Sequence, residues 1–321
     1  MEVPGYADLS ISSHWDASSV IDSNGLRLPD FIGIGPARTG TTWLHEALRL
    51  GVSMPRHLKE VNFFARYYSR GFEWYADQFD RYPEEVKVGE ITPNYFHSQR
   101  ARKRMAKDVP GLKIITGLRE PVARLYSSYK ERCHSGRLYR ISFKRAVEET
   151  KILNVKKHFY APALREWLAA FGRERVLVCF FDELERNPQG YLNAVTDFID
   201  APRISIANTR LARQRVYSVS REPLRPLLAR IMWRLNRLGR DRDIRLRRTL
   251  ENLGIWQYCF REGELFPALD PELEETLRAR FRPDIEEVEE LLRCDLSAWK
   301  HPRGEGRPQL DGRAIFSSGT T

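Results

Sequence analysis

The chain has 321 residues, 42% of them apolar, with seven Trp and a formal net charge of +10. That length suits one large α/β domain or two small ones, and the apolar content excludes a disordered chain. The positive charge favours an anionic ligand, substrate or surface without choosing among them.

Residues 1–28, rich in Ser and Asp, read as an N-terminal arm. Their first 24 residues lack the basic-then-apolar order of a signal peptide, and no apolar run of about 18 residues follows, so a cytoplasmic protein is expected. Phe31, Ile32 and Ile34 start a strand over 30–35, which leads through a glycine-rich loop into a helix over 41–50. The aromatic stretch 55–82 reads as a loop and then a short helix over 71–80. A strand at 86–91, a helix at 98–107 and a strand at 112–118 follow. Pro121 suits the first turn of a helix running to 135. Helices at 142–149 and 160–171 precede a buried strand at 176–181, and Pro188 opens a helix to 199.

Strands alternating with helices at this spacing predict a three-layer α/β/α domain with a central, mostly parallel sheet over 29–300. Ligands then bind beyond the strand C-termini. Residues 221–248 contain ten Arg and three acidic residues, with Leu224, Leu227, Leu228, Ile231, Leu235 and Leu238 at helical spacing. This basic amphipathic helical insert either packs by its leucines, closes over an anionic substrate, or touches an anionic membrane surface. Helical structure over 271–292 is expected to split or kink at Pro283, and 301–321 reads as a disordered tail. Cys133, Cys179, Cys259 and Cys294 form no C-x-x-C pair and read as thiols of a reducing compartment, with a Cys259–Cys294 disulfide left open.

The chemistry concentrates in Gly35-Pro-Ala-Arg-Thr-Gly-Thr-Thr-Trp-Leu44. A strand, a glycine loop and a helix start converge amides on an anion, and the helix dipole favours negative charge there. Gly35-x4-Gly40 has the spacing of the nucleotide-triphosphate P-loop, but Thr41 stands where that motif has Lys, and the cation is Arg38. A γ-phosphate thus lacks its main partner. The other reading of this loop alone is an ordinary Gly-Pro turn. A second motif, Leu118-Arg-Glu-Pro-Val-Ala-Arg-Leu-Tyr-Ser-Ser-Tyr129, sets Arg119 at a strand tip and Ser127 two turns into a helix, where both can hold one phosphate.

Together these segments resemble the 5′-phosphosulfate loop and the 3′-phosphate motif of sulfotransferases that use 3′-phosphoadenosine 5′-phosphosulfate (PAPS). Lys59-Glu-Val-Asn-Phe-Phe64, with Gly71-Phe-Glu-Trp-Tyr75, and Glu90-Ile-Thr-Pro-Asn-Tyr-Phe96 resemble segments of the heparan sulfate branch, in a member of bacterial type. The resemblance implies a P-loop NTPase-like fold. It implies Arg38, Thr39, Gly40, Thr41 and Thr42 around the 5′-phosphosulfate, Arg119 and Ser127 on the 3′-phosphate, PAPS as co-substrate, and no metal. It further implies Glu60 as general base, with Arg38 assisting at the reacting group. A carboxylate among aromatic rings suits proton abstraction from an alcohol. Glu90 is the rival carboxylate, and His134, with His57 behind it, a candidate helper. Glu90, Tyr95 and Trp74 are candidate acceptor contacts. Two features depart from the pattern: Ile91 replaces the usual Lys of the Glu-Lys-x-Pro segment, and the late Lys-Gly-Arg loop has no clean counterpart, leaving Arg213, Arg215 and the basic insert as substitutes.

The expected activity is sulfuryl transfer to a hydroxyl, less readily an amine, of a carbohydrate, glycolipid or secondary-metabolite acceptor, with no nucleic-acid partner. The alternatives are a P-loop kinase, opposed by Thr41, and a basic polyanion- or membrane-binding module built on 221–248.

Overall fold

In a computed structural model of the chain, the structure describes residues 25–79, 86–138, 141–149, 153–213, 221–223, 227–228, 230–231 and 262–301. The N-terminal arm before residue 25, most of the basic insert, Cys259, Arg215 and the C-terminal tail lie outside them.

Four strands form the expected parallel sheet: β1 (Phe31–Gly35), β2 (Gly89–Ile91), β3 (Lys113–Leu118) and β4 (Val176–Phe180), in the order β2-β1-β3-β4. Ile32 of β1 is opposite Glu90 on one side and Ile114 on the other, which aligns the strand tips along one edge. Alternation along these strands divides the core. Ile32, Ile34, Ile114, Leu118, Val176, Val178 and Phe180 enter one apolar cluster, and Phe31, Ile115, Leu177 and Cys179 enter the other. Both faces are therefore covered, as a parallel sheet requires.

Helix α1 (Thr41–Leu48) follows β1, α2 (Gly71–Ala76) lies in the aromatic stretch, α3 (Gln99–Asp108) precedes β3, and α4 (Pro121–His134) follows it. Helices α5 (Phe143–Glu149) and α6 (Ala161–Phe171) come before β4, and α7 (Phe181–Arg186) and α8 (Pro188–Phe198) after it. A short α9 (Arg210–Arg213), an antiparallel pair β5 (Arg221–Pro223) and β6 (Glu262–Leu265), α10 (Pro271–Leu292) and α11 (Ser297–Lys300) complete the described chain.

Four expectations are corrected. Residues 63–67 form a π-helical turn rather than loop, because Phe63 and Phe64 are buried and the turn stacks Phe63 on Tyr75 at 4.3 Å. Phe181 ends no strand but opens α7, with Asp182 and Glu183 in its first turn where the helix dipole favours them. Arg221–Pro223 is strand rather than the start of a helix, in keeping with the extended bias of a residue before proline. Pro283 does not divide α10, which runs unbroken from Pro271 to Leu292; Phe281 and Ile285 are buried on either side of it and anchor both halves to the core. In the basic insert, the described Leu227, Leu228 and Ile231 are exposed. No helix among the described residues is long and apolar enough to cross a membrane.

Candidate functional site

The loop between β1 and α1 is shaped by close approach. Gly35 has φ 90°, and a Cβ there would stand 2.5 Å from the Pro93 Cα; Gly40 has φ 85°, and a Cβ there would stand 2.4 Å from Leu184 Cδ2. Only glycine fits either position. Gly40 is the N-cap of α1 and no side chain caps the helix, so its first amides open toward the loop's concave side. Thr39 points the other way: it is buried, and its hydroxyl donates to the Pro36 carbonyl at 2.7 Å. Its role is to close the loop, and only its backbone remains for a ligand.

The second motif meets this loop directly. Arg38 Nε donates to Ser127 Oγ at 2.9 Å, across 89 residues of sequence. Arg119 Nη1 donates to the Arg38 carbonyl at 3.4 Å, and its guanidinium lies 4.0 Å from the Phe181 ring centroid. Arg124, buried one turn into α4, ties the loop from below through Nε to the Ala37 carbonyl at 3.0 Å.

The strand tip is braced from behind. The Tyr160 hydroxyl donates to the Arg119 carbonyl at 2.7 Å, and Asp284 on α10 accepts the Tyr160 and Ala161 amides at 2.8 and 2.9 Å. Glu120 caps α4 by accepting from the Val122 and Ala123 amides, and pairs with the buried Arg278 at 3.3 Å.

These parts enclose a cleft of about 390 Å³ beyond the strand tips. Arg38, Gly40, Thr41, Thr42, Glu60, Arg119 and Ser127 all line it. So do Lys59, Asn94, Ser128, Glu131, Arg132 and Arg137, which the sequence reading did not single out for the site. Lys59 had a signal, its place beside Glu60; its Nζ donates to Thr42 Oγ1 at 2.6 Å and so joins the Glu60 segment to the helix start.

Other candidates fall elsewhere. Glu90 and Tyr95 are fully buried behind the cleft and do not line it. Tyr75 and Thr92 donate hydroxyls to the Glu90 carboxylate at 2.7 and 2.6 Å, and Tyr95 does so at 3.1 Å. Burial pushes the Glu90 carboxyl above its ordinary value against these three bonds. Trp74 is half-buried, with the Arg70 guanidinium 4.8 Å from its ring, and lies outside the cleft lining. His134 ends α4, half-buried, and His57 is exposed; neither lines the cleft. Arg213 ends α9. No group of three or more His, Cys, Asp or Glu among the described residues is placed to hold a metal ion.

A family model described as a sulfotransferase domain matches residues 28–221. The chain is 35% identical over 195 residues to the human bifunctional heparan sulfate N-deacetylase/N-sulfotransferase 3, covering 54% of this chain and 22% of that protein. It is 30% identical over 192 residues to the human heparan sulfate glucosamine 3-O-sulfotransferase 3A1, covering 58% of this chain and 47% of that one. The chain thus spans about a fifth of the first relative and about half of the second. Among solved structures, a sulfotransferase from Alicyclobacillus acidocaldarius superposes with a TM-score of 0.58 at 22% identity, covering 85% of this chain and 99% of that one.

Proposed function

Because this chain belongs to the sulfotransferase family, we propose that it transfers the sulfuryl group of PAPS to a hydroxyl of a carbohydrate-like acceptor, with Glu60 as base. The observation that carries this reading is the 2.9 Å bond from Arg38 to Ser127, which joins the glycine loop and the second motif on one cleft and supports reading them as a two-ended anion site. A nucleotide with phosphate groups at both ends of its ribose matches that site. A nucleotide triphosphate does not, since Thr41 offers no cation where a γ-phosphate needs one.

The residues fit the donor. The uncapped amides at the start of α1, the Thr41 and Thr42 hydroxyls and Arg38 supply hydrogen bonds and positive charge for the 5′-phosphosulfate. Arg119 and Ser127 take the 3′-phosphate. Lys59, held on Thr42, adds a cation on the side of the cleft where Glu60 stands. In the transfer, the acceptor oxygen bonds to sulfur as the bond from sulfur to the bridging phosphate oxygen breaks. That oxygen leaves with the electron pair on adenosine 3′,5′-bisphosphate, and the acceptor proton passes to the Glu60 carboxylate. Cations facing the leaving oxygen and the sulfonate stabilise the charge that develops there. The heparan sulfate relatives support a glycan acceptor.

Titration calorimetry with adenosine 3′,5′-bisphosphate tests the donor site. Tight binding is expected, weakened about tenfold or more in Arg119→Ala by loss of a charged hydrogen-bond fork. Absence of binding to the unaltered protein would end this reading. A labelled-donor assay across hydroxyl and amine acceptors then identifies the substrate class.

A further inference from the structure

The cleft continues past Ser127. Ser128, Glu131 and Arg132 extend its wall along α4, and Arg137 lines it from the turn that follows. Helical positions four apart share a face, so Glu131 lies one turn beyond Ser127, and Arg132 one turn beyond Ser128. The turn brings Arg137 back toward them. Ser135 caps α4, Gly136 takes φ 67°, and the Arg137 amide donates to the Arg132 carbonyl at 2.8 Å. The Arg137 side chain is then fixed by a bond from Nε to Ser135 Oγ at 2.9 Å and by an ion pair with Glu131. Burial, and next the neighbouring Arg137 charge, hold the Arg132 guanidinium below its ordinary value. Two guanidiniums and one carboxylate leave a net positive charge on the same wall as Ser127.

We propose that Arg132 and Arg137 form a second cationic wall of the 3′-phosphate site, gripping that phosphate together with Arg119 and Ser127. This inference rests on the donor reading above. A phosphate monoester carries about −1.5 to −2 charge at neutral pH, whereas Arg119 supplies one positive charge, Ser127 none, and Arg38, bonded to Ser127 at 2.9 Å, is shared with the 5′-phosphosulfate. One helical turn rises about 5.4 Å, within the reach of an arginine side chain. Among the described residues these two arginines extend the Ser127 wall of the cleft, Arg132 from α4 and Arg137 from the turn after it, and add positive charge beside Arg119 and Ser127. Glu131 then acts as a resident counter-ion, which the phosphate displaces from Arg137 on binding.

The test compares adenosine 3′,5′-bisphosphate with adenosine 5′-monophosphate, which lacks the 3′-phosphate, by calorimetry on the full chain. In Arg132→Ala/Arg137→Ala the bisphosphate Kd is expected to rise about tenfold or more, with monophosphate binding unchanged. In Glu131→Gln the bisphosphate should bind more tightly, an outcome that damage to the fold does not produce. Equal losses for both nucleotides in the double variant, with no gain in Glu131→Gln, would overturn the proposal. So would unchanged bisphosphate binding accompanied by a raised acceptor KM, which assigns the pair to the acceptor. If the unaltered protein binds no bisphosphate, the donor reading itself fails. If it binds and the variants bind equally, only the role of this pair fails.

Discussion

Arg38 carries a conformational cost that its chemistry explains. It is one of four non-glycine residues with positive φ among the described residues, at φ 73°, a region costing roughly 1–2 kcal/mol for a side-chain-bearing residue. Its side chain bonds Ser127 and its carbonyl accepts from Arg119, so the strained residue sits where the glycine loop and the second motif, the two halves of the proposed donor site, meet. Arg38→Gly separates these effects. Glycine relieves the backbone, so the melting temperature should hold or rise, while loss of the cation should lower turnover about 10²-fold. Unchanged turnover in the labelled-donor assay would show that Arg38 serves the fold alone. Glu60→Gln is expected to cut turnover roughly 10²-fold or more with adenosine 3′,5′-bisphosphate affinity intact; near-normal turnover would move the base elsewhere. That Arg38, Arg119 and Ser127 line one cleft was legible because each falls within a contiguous segment whose spacing describes its own geometry, whereas Glu60 was singled out by the family resemblance alone. Arg132 and Arg137 were not. Arg132 stands at helical spacing from Ser128 but beyond the second motif, and the approach of Arg137 depends on the turn after α4, where helical periodicity stops. Glu90 misled for the converse reason: a strand tip fixes a residue's position along the sheet, but the three hydroxyls that hold it inward come from Tyr75, Thr92 and Tyr95.

At the scale of elements, the site depends on a helix remote from it in sequence. Arg278 of α10 pairs with Glu120 and with Glu274, and donates to the Trp299 carbonyl at 2.8 Å. Asp284, less than two turns further on, fixes the start of α6 and with it the Tyr160 hydroxyl that holds the Arg119 carbonyl. Arg278→Met removes one partner of a buried pair and leaves Glu120 without that counter-ion, which costs about 3–5 kcal/mol. Urea denaturation should show that loss, and bisphosphate affinity should fall in the same variant because the Arg119 strand tip loses its support. A fall in stability with affinity unchanged would mean that α10 stabilises the domain without positioning Arg119. The sequence made the sheet legible because two-sided burial writes continuous apolar runs such as Val176–Phe180. It did not reveal that α10 survives Pro283, since that depends on partners contributed by other elements. Phe181 was ambiguous for a related reason: two adjacent Phe continue a strand and open a helix equally well.

For the whole molecule, acid sensitivity follows from two histidines enclosed without charge. His45 is buried in α1, and burial, followed by the nearby Lys59 and Arg49 charges, lowers it from 6.5 to about 4. His158 is buried before α6, and burial, then Arg124, holds it well below its ordinary value. In both cases the unfolded chain takes up a proton near pH 6.5 that the folded chain does not. Each histidine therefore stabilises the fold fully above that pH and contributes less as pH falls toward the folded value. The slope is at most about 1.4 kcal/mol per pH unit for each. Glu90 and Asp284 titrate in the opposite sense, since burial raises both carboxyls, so the net profile alone does not isolate the histidines. His45→Leu does. The substitution removes one proton uptake, so the stability of the unaltered protein relative to the variant should stay level above pH 6.5. It should then decline by up to about 1.4 kcal/mol per unit between that pH and about 4. Urea denaturation of the two proteins at matched pH values measures the difference. A flat difference across this range would mean that His45 takes up its proton in the folded state, placing a further cation in α1, the helix whose start has no side-chain cap beside the glycine loop.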